Sequence, residues 1–431
     1  MLSIMVAVAL LYLAPFVSTW LAAVSFLICA YRMVRYNARI FAADYCILMP
    51  ISALAKINGG VSLLIYLCLL AGILYLIRGG FRVNICNLLL LILLNYLLLR
   101  MQMNVNDFVL CFGQLFVLCM ILPEQDDCSA ERAIKMFCGS LILSSSYAFL
   151  LRNTYALRGI TGTAYGPMWG TNSIRFCGLF ADPNYYATFL IVGLALLLKL
   201  KDSGRIRGLY FWLGAGGLTF FGIMTYSKMY FLMLILLVSV YVVWQYWNKR
   251  LFRGIFFTVA AAVAVIIVLT MEQSPFTVIL QRFSNAGNLR QLTTGRSYIL
   301  SLYVKEITSS FQTVFWGKGL AAEALYRDPH NLYIEIIYYI GVIGLLLLIG
   351  VYTAMMYTIL RRAARSSRQN VIAKYMVPLS VVVMYLSLHG MFSQHFYAEL
   401  FLGYLSILLT KKRNKRKDVN EADQNAGAFC I

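Results

Sequence analysis

One feature governs what this sequence can fold into: a stretch of about twenty apolar residues, met again and again between short polar connections. Roughly 20 such residues, coiled as a helix, reach across the hydrocarbon core of a bilayer. Stretches of this kind lie near 3–30, 40–56, 60–77, 84–100, 105–122, 133–151, 184–200, 208–225, 229–247, 252–271, 332–358, 374–390 and 396–410. The first is long enough to be a steeply tilted helix or a tight helical hairpin, and 40–56 is the weakest, so about 12–14 transmembrane helices are expected. Composition agrees. With 61% of its 431 residues apolar and only 13% charged, the chain cannot clothe itself in a solvated surface, and it is too apolar for a disordered or disulfide-framework class. The expected fold is all-α, a polytopic membrane helix bundle. One transmembrane domain covers 1–410, and a basic tail, 411–431, is expected to be disordered. Residues 3–30 are too long for a signal h-region and lack a basic n-region, so they are expected to stay as a span.

The formal net charge of +20 would suggest nucleic acid in a soluble domain. In a membrane chain it reports sidedness, because short cytoplasmic loops are enriched in Lys and Arg. The tail opens Lys411-Lys412-Arg413-Asn414-Lys415-Arg416-Lys417, which makes it cytoplasmic. Alternating back from it, the loops holding Arg32/Arg35/Arg39, Arg78/Arg82, Arg132/Lys135, Lys199/Lys201/Arg205/Arg207, Lys249/Arg250/Arg253 and Arg361/Arg362/Arg365/Arg368/Lys374 all fall inside. With the tail they hold 25 of the 37 basic residues. These charges meet anionic lipid, and no nucleic-acid partner is expected. The sequence thus reads as a multi-pass protein of a cytoplasmic membrane.

Several chemistries are excluded. There is no phosphate-binding G-x-x-x-x-G-K-[ST] loop, no Cys/His cluster with zinc spacing, and no inner loop long enough for a nucleotide-binding domain. The one acidic inner patch, Glu124, Asp126, Asp127 and Glu131, reads as a short solvated connection. Most of the ten cysteines, Cys29, Cys68, Cys86, Cys111 and Cys119 among them, lie within spans, and Cys177 has no second cysteine in a long outer loop to pair with. No metal and no cofactor are expected. Work done on the outer face must draw on energy already stored in the substrate.

Two connections are long, roughly 152–183 and 272–331, and both fall outside. Loops of that length in a compact protein usually carry function. The first ends Arg175-Phe176-Cys177-Gly178-Leu179-Phe180-Ala181-Asp182-Pro183-Asn184. Asp182 suits an N-cap and Pro183 the first helical position, so the next span starts at the outer surface with its positive dipole end outward. Such an end attracts anions, and Arg175 can add a guanidinium fork. The plainer reading, a capped helix beside a snorkelling arginine, stays open. In the turn Thr225-Tyr226-Ser227-Lys228, Ser227 can cap the following span and Lys228 adds a second cation, or an interfacial anchor. The second loop is basic. Within it Ile299, Leu302, Tyr303, Ile307 and Phe311 recur at helical spacing, which predicts an amphipathic helix from Thr294 to about Thr313 lying on the outer leaflet, with Arg296 in its first turn. Then comes Arg327-Asp328-Pro329-His330-Asn331-Leu332-Tyr333-Ile334-Glu335, running into a span.

An acidic residue inside a span is a functional candidate, because leaving it unpaired in lipid is costly. His330 and Glu335 lie within one and a half helical turns, and His is the side chain most easily poised for acid–base work near neutral pH. They can equally cap the helix and pair with Arg327. His389, His395 and Glu399 flank the last outer turn and form a second tier. Together these residues describe an outward cavity lined by Arg and Lys, helix N-termini and a His/Glu pair. A large, anionic, membrane-attached substrate such as a lipid-linked pyrophosphate suits it, since it carries its own leaving group.

The order of these motifs resembles the bacterial O-antigen ligase and O-antigen polymerase family. Arg175-x-x-Gly178 followed by Asp182-Pro183-Asn184 resembles its R-x-x-G…(N/D)-P-N segment, and Ser227-Lys228 its Ser-Arg pair. Gly295-Arg296, Gly317-x-Gly319, His330-Asn331-x-Tyr333 and Gly341-x-x-Gly344 resemble the signature of its large outer loop and following span. The likeness covers about 175–350. It implies a membrane glycosyltransferase, inverting and metal-independent, that takes a glycan from undecaprenyl pyrophosphate on the outer face of the bacterial inner membrane and passes it to an acceptor saccharide. Carried over, Arg175, Lys228 and Arg296 bind pyrophosphate. His330 with Glu335 serves the acceptor hydroxyl, and Gly178, Asp182, Asn184, Asn331 and Tyr333 support them. Lys228 departs from the family's arginine, and a lysine is a point charge rather than a planar fork. Partners implied are the lipid-linked oligosaccharide, an acceptor glycan, a flippase and a chain-length regulator. A polymerase of surface polysaccharide is the preferred expectation. A ligase passing glycan to lipid A-core, and a flippase of lipid-linked saccharide, are the alternatives.

Overall fold

The computed structural model describes residues 2–35, 38–56, 62–78, 84–100, 105–157, 163–165, 174–180, 182–247, 295–325, 327–364, 371–386, 388 and 394–409. Each apolar stretch with described residues is helical. The helices are α1 (Leu2–Leu13), α2 (Trp20–Arg35), α3 (Ala38–Leu48), α4 (Leu63–Ile77), α5 (Ile85–Leu99), α6 (Val105–Ile121), α7 (Asp127–Leu151), α8 (Pro183–Asp202), α9 (Gly208–Met224), α10 (Lys228–Trp247), α11 (Arg296–Ile307), α12 (Phe311–Trp316), α13 (Leu332–Ala364), α14 (Val371–Met384) and α15 (Gln394–Leu408). The stretch 252–271, the start of the second long loop and the tail 411–431 lie outside the described residues. Three helices, Asp127–Leu151, Pro183–Asp202 and Leu332–Arg361, are long and apolar enough to cross a membrane, and the shorter apolar helices pack around them. The architecture fits a membrane protein.

The first apolar stretch is a hairpin rather than one tilted helix. Pro15 cannot continue α1, and Ser18 opens α2 by accepting from the Trp20 amide at 3.3 Å. The two helices pack together, stitched by Ser25 Oγ donating to the Ala7 carbonyl at 2.9 Å. Arg32 is not a solvated loop charge. It is buried and makes a two-pronged pair with Asp44, Nε to Oδ2 at 2.8 Å and Nη2 to Oδ1 at 3.0 Å, while Nη1 reaches Ser3 at 2.6 Å. A guanidinium taken out of water needs such satisfaction. The weak stretch 40–56 becomes α3 and a short 3₁₀ turn at Met49–Ile51. Residues 41–52 are all buried, and Ser140 of α7 donates to the Ile47 carbonyl at 2.6 Å. At 11 residues, α3 is about 16 Å long, too short to cross alone.

α8 is the central helix. It touches α7, α9, α10, α14 and α15 and is buried along most of its length. The all-α expectation misses one small element: β1 (Thr163–Tyr165) pairs antiparallel with β2 (Ile174–Phe176), setting Ala164 opposite Arg175. The acidic patch around the start of α7 is not merely solvated. Arg205 bridges Asp127 and Glu131, Lys135 pairs with Glu131, and Asp126 caps α7 in a reciprocal box with Ser129.

The expected amphipathic helix is two helices, split where Ser310 caps the second by accepting from the Thr313 amide at 3.1 Å. Ile299, Tyr303 and Ile307 of α11 are buried as the spacing predicts, while Phe311 is exposed. This apolar face packs on α13, with the Tyr303 and Tyr338 rings 4.8 Å apart, so the face expected to rest on lipid rests on protein. α13 itself is broken. Gly341 takes φ 68°, ψ −179°, outside helical space. The segment after α12 enters the break: Lys318 N and Gly319 N donate to the carbonyls of Tyr338 and Tyr339 at 2.8 and 2.9 Å, and the Tyr96 hydroxyl donates to Ile340 O at 2.7 Å. Gly317 and Gly341 meet there backbone to backbone. A Cβ on Gly341 would lie 2.2 Å from the Phe315 carbonyl oxygen, and one on Gly317 would lie 2.6 Å from Gly341 N.

Candidate functional site

The site begins at the N-terminus of α8. Asp182 is extended (φ −130°) and its Oδ1 accepts from the Asn184 amide at 2.6 Å, with Pro183 in the first helical position. The helix therefore starts where the sequence places it. Part of the attraction of that helix end is already taken by the chain's own carboxylate, so anion binding there rests on the arginines rather than on open amides. The turn that delivers the chain to Asp182 needs Gly178. Its φ is 59°, and a Cβ would lie 2.8 Å from the ring of Tyr186, which Ser145 holds through a 2.6 Å hydrogen bond.

Arg175, on β2, is buried at 8% exposure. Its Nε donates to the Thr225 carbonyl at 2.9 Å and its Nη2 to Asn184 Oδ1 at 3.1 Å. Ser227 Oγ donates to the same Asn184 oxygen at 3.0 Å, and the Ser227 amide donates to Thr225 Oγ1 at 3.2 Å. Asn184 thus joins the nearby β2 strand, the start of α8 and the α9–α10 turn 43 residues on. Lys228 follows directly as the first residue of α10 and is half-buried. Tyr226 in that turn has φ 48°, a left-handed conformation uncommon for a bulky residue.

Arg296 opens α11 and is brought to the same end of the bundle. Burial pushes its guanidinium pKa down, and the charges of Asp182 and Tyr185 work against that loss. Arg175 is thus bonded to the Asp182–Tyr185 turn, and Arg296 lies within its electrostatic reach. His330 is half-buried and has φ 49°, a strained position for a non-glycine residue. It does not cap α13. Asn331 does, its Oδ1 accepting from the amides of Tyr333 and Ile334 at 3.1 and 3.0 Å. Asn331 Nδ2 donates to Leu386 O at 3.0 Å, the Leu332 amide to Tyr385 O at 3.1 Å, and the Tyr333 hydroxyl to Val382 O at 3.1 Å. These bonds pin the start of α13 to the end of α14. Glu335, in the first turn of α13, is buried at 2% exposure and lies within electrostatic reach of Tyr185.

Other residues join that the sequence ranked low or passed over. Tyr185 interacts with Asp182, Asp328, Glu335 and Glu399, and its ring lies 5.7 Å from that of His395. Tyr385 and Glu399, facing each other from the end of α14 and from α15, are fully buried. Lys56, just past α3, acts electrostatically on His395. His395 and Glu399 belong to the second tier, and His389 lies outside the described residues. The signal that could have raised Tyr185 is its place beside Asn184. Tyr385 and Lys56 carry none that local pattern exposes. Lys318, read as one of the outer cations, is paired with Glu306, whose hydrogen bond raises its pKa.

What the arrangement offers is two unlike groups of side chains side by side. One holds Arg175, Arg296 and Lys228 around the α8 cap. The other holds carboxyls and aromatic hydroxyls: Tyr185, Glu335, Tyr385 and Glu399. Among the described residues no three His, Cys, Asp or Glu side chains gather as metal ligands. Compared in sequence with family models and with curated proteins, the chain matches none.

Proposed function

We propose that this chain is a polytopic membrane glycosyltransferase that polymerises a surface polysaccharide on the outer face of the bacterial cytoplasmic membrane. It takes glycan from an undecaprenyl-pyrophosphate carrier and passes it to an acceptor saccharide. The observation that carries the reading is that Arg175 is bonded to the first turn of α8 while Arg296, from a separate long loop, lies within electrostatic reach of Asp182 and Tyr185 there. Guanidinium groups near a helix N-terminus suit the two phosphates of such a carrier. In this reading an acceptor hydroxyl attacks the anomeric carbon. The bond from that carbon to the pyrophosphate oxygen breaks with inversion, and its electron pair leaves on the pyrophosphate. The arginines and Lys228 stabilise that charge as it develops. The hydroxyl proton passes to a base, for which His330 and Glu335 are the candidates. The reading also takes the full set of about 12–14 spans, with the tail from Lys411 inside and the long loops outside. A flippase and a chain-length regulator are the natural partners.

A second reading, transport of lipid-linked saccharide, is favoured by one observation: the break in α13 at Gly341, since transporters use discontinuous helices. The carbonyls freed at that break are bonded by Lys318, Gly319 and Tyr96, so they are engaged by the chain itself. Deleting the gene in its host separates the readings. Surface glycan cut to a single repeat supports polymerase, full-length polymer stranded on its carrier means ligase, and loss of all outward lipid-linked repeats means flippase. In the complemented strain Arg175→Ala is expected to lose polymer at normal protein level, and unchanged polymer would overturn the assignment of Arg175.

A further inference from the structure

Three sulfur atoms meet in the apolar core, and the transfer reading uses none of them. Cys119 of α6 brings its Sγ to 3.1 Å from Sδ of Met355 of α13, and a side-chain hydrogen bond joins it to Cys86 of α5. All three residues are buried. No local spacing links them; the packing of α5 against both α6 and α13 brings them together. A cavity opens at the same place, where Met355 is part of a wall with Leu118, Leu122, Tyr397, Phe401 and Tyr404. Two thiols and a thioether are a soft donor set, and the set narrows the ligand. Iron–sulfur clusters take four cysteines, and structural zinc takes four ligands from Cys and His. Two cysteines with a methionine suit copper(I), a soft cation that thiolate and thioether select. Charge agrees: one Cu(I) entering as one thiol proton leaves keeps the core's net charge unchanged, and an unbalanced charge there is costly. Room agrees as well. Metal–sulfur bonds of about 2.3 Å put three sulfurs of a trigonal site roughly 4 Å apart. The Cys119–Met355 contact must therefore open by about 1 Å, which the cavity and the rotatable bonds of Met355 allow.

We infer that Cys86, Cys119 and Met355 form a copper(I) site that clamps α5, α6 and α13 together. This departs from the sequence expectation of no metal and stands independently of the glycosyltransferase reading. On binding, a copper–sulfur bond replaces one S–H bond and the proton passes to solvent. No electron moves, because the copper enters and stays as Cu(I). Position supports access. Cys86 lies just past the Asn84 cap that opens α5, and Cys119 lies in the last turn of α6, so the cation reaches the thiols from one end of the bundle. Position also gives the clamp a use. At its other end α5 already holds the break in α13, with the Tyr96 hydroxyl donating to Ile340 O at 2.7 Å and Arg100 Nη2 donating to Gly317 O at 2.7 Å. Copper at Cys86 and Met355 fastens the same two helices a second time, beyond the break.

The test uses the full chain in detergent, reduced and under anaerobic conditions, with the coloured Cu(I)–bicinchoninate complex as the probe. Wild type is expected to take one equivalent of copper from the chelator, read as loss of its colour, and to melt at a higher temperature once loaded. Cys128 is exposed and could hold copper adventitiously, so Cys128→Ser is expected to keep the full equivalent. The double variant Cys86→Ser/Cys119→Ser is expected to take none, and Met355→Leu to bind about tenfold more weakly. If the double variant is not recovered as folded protein, Met355→Leu carries the comparison alone, since it nearly conserves volume and keeps both thiols. Wild type that leaves the chelator its copper overturns the site. So does Met355→Leu that binds as wild type does, and so does an equivalent lost in Cys128→Ser, which assigns the copper to the exposed thiol. Each of these failures leaves the pyrophosphate reading of the arginines untouched.

Discussion

Gly341→Ala gives the most direct physical test of how α13 is broken. Two costs add. First, φ 68° with ψ −179° belongs to a region that is essentially reserved for glycine, and forcing alanine there costs about 1–3 kcal/mol. Second, the new Cβ would sit 2.2 Å from the Phe315 carbonyl oxygen, 2.4 Å from its carbon and 2.6 Å from Trp316 N, all backbone atoms. No side chain can rotate away, so the α12 segment must retreat by about 1 Å. That stretches the bonds from Lys318 N and Gly319 N to Tyr338 O and Tyr339 O, each worth about 1 kcal/mol. The sum is about 3–5 kcal/mol. At roughly 2 °C per kcal/mol, the melting point of the detergent-solubilised protein, read from its intrinsic fluorescence or from a fluorescent fusion, falls by about 6–10 °C. Gly216→Ala is the control. It lies exposed inside α9 with nothing within 4 Å of its would-be Cβ, so it is expected to be neutral or up to about 1 kcal/mol more stable. Gly341→Ala melting within 2 °C of wild type, at about 2 °C per kcal/mol, would refute the close contact between the two glycine segments.

Removing one partner of the buried Arg32–Asp44 pair, as in Asp44→Asn, is expected to cost about 3–5 kcal/mol, and replacing both with Met and Leu to recover most of it in the same melting assay. At the start of α7, burial tends to raise the Glu131 carboxyl, but hydrogen bonds from Lys135 and Arg205 outweigh it and hold its pKa below the ordinary glutamate value. Its contribution to stability is therefore present above about pH 4.3 and lost as pH falls through the lower folded value. The melting-point gap between wild type and Glu131→Gln should be open at pH 7 and close under acid, and a gap independent of pH would count against the network. Reporter fusions test sidedness: a fusion after Leu409 is expected to be active only as a cytoplasmic reporter and one within 158–173 only as an external reporter, so both on one side would overturn the topology.

The sequence alone made the helices legible, because a polar backbone in lipid must satisfy itself and a twenty-residue apolar stretch leaves it little alternative. It also placed the start of α8, since Asp182-Pro183 is a local signal whose hydrogen bond closes within two residues. It named Arg175, Arg296 and Asn184 individually, as a cation, a cation and a cap neighbour. What it could not show is that Asn184 joins Arg175 to Ser227, because that junction spans 43 residues and depends on how α9 and α10 return to α8. Likewise Gly317-x-Gly319 and Gly341-x-x-Gly344 read as two motifs, and only the fold reveals them as two sides of one backbone contact. Arg32 looked like a loop charge because periodicity does not say which face of a short helix meets Asp44. Glu399 ranked second because a lone acid in an apolar helix carries no local sign of the partner that packing brings to it. Local chemistry determined the elements and their ends. Tertiary packing decided which polar groups meet, as it sets Glu399 and Tyr385, from separate segments, against each other in the core.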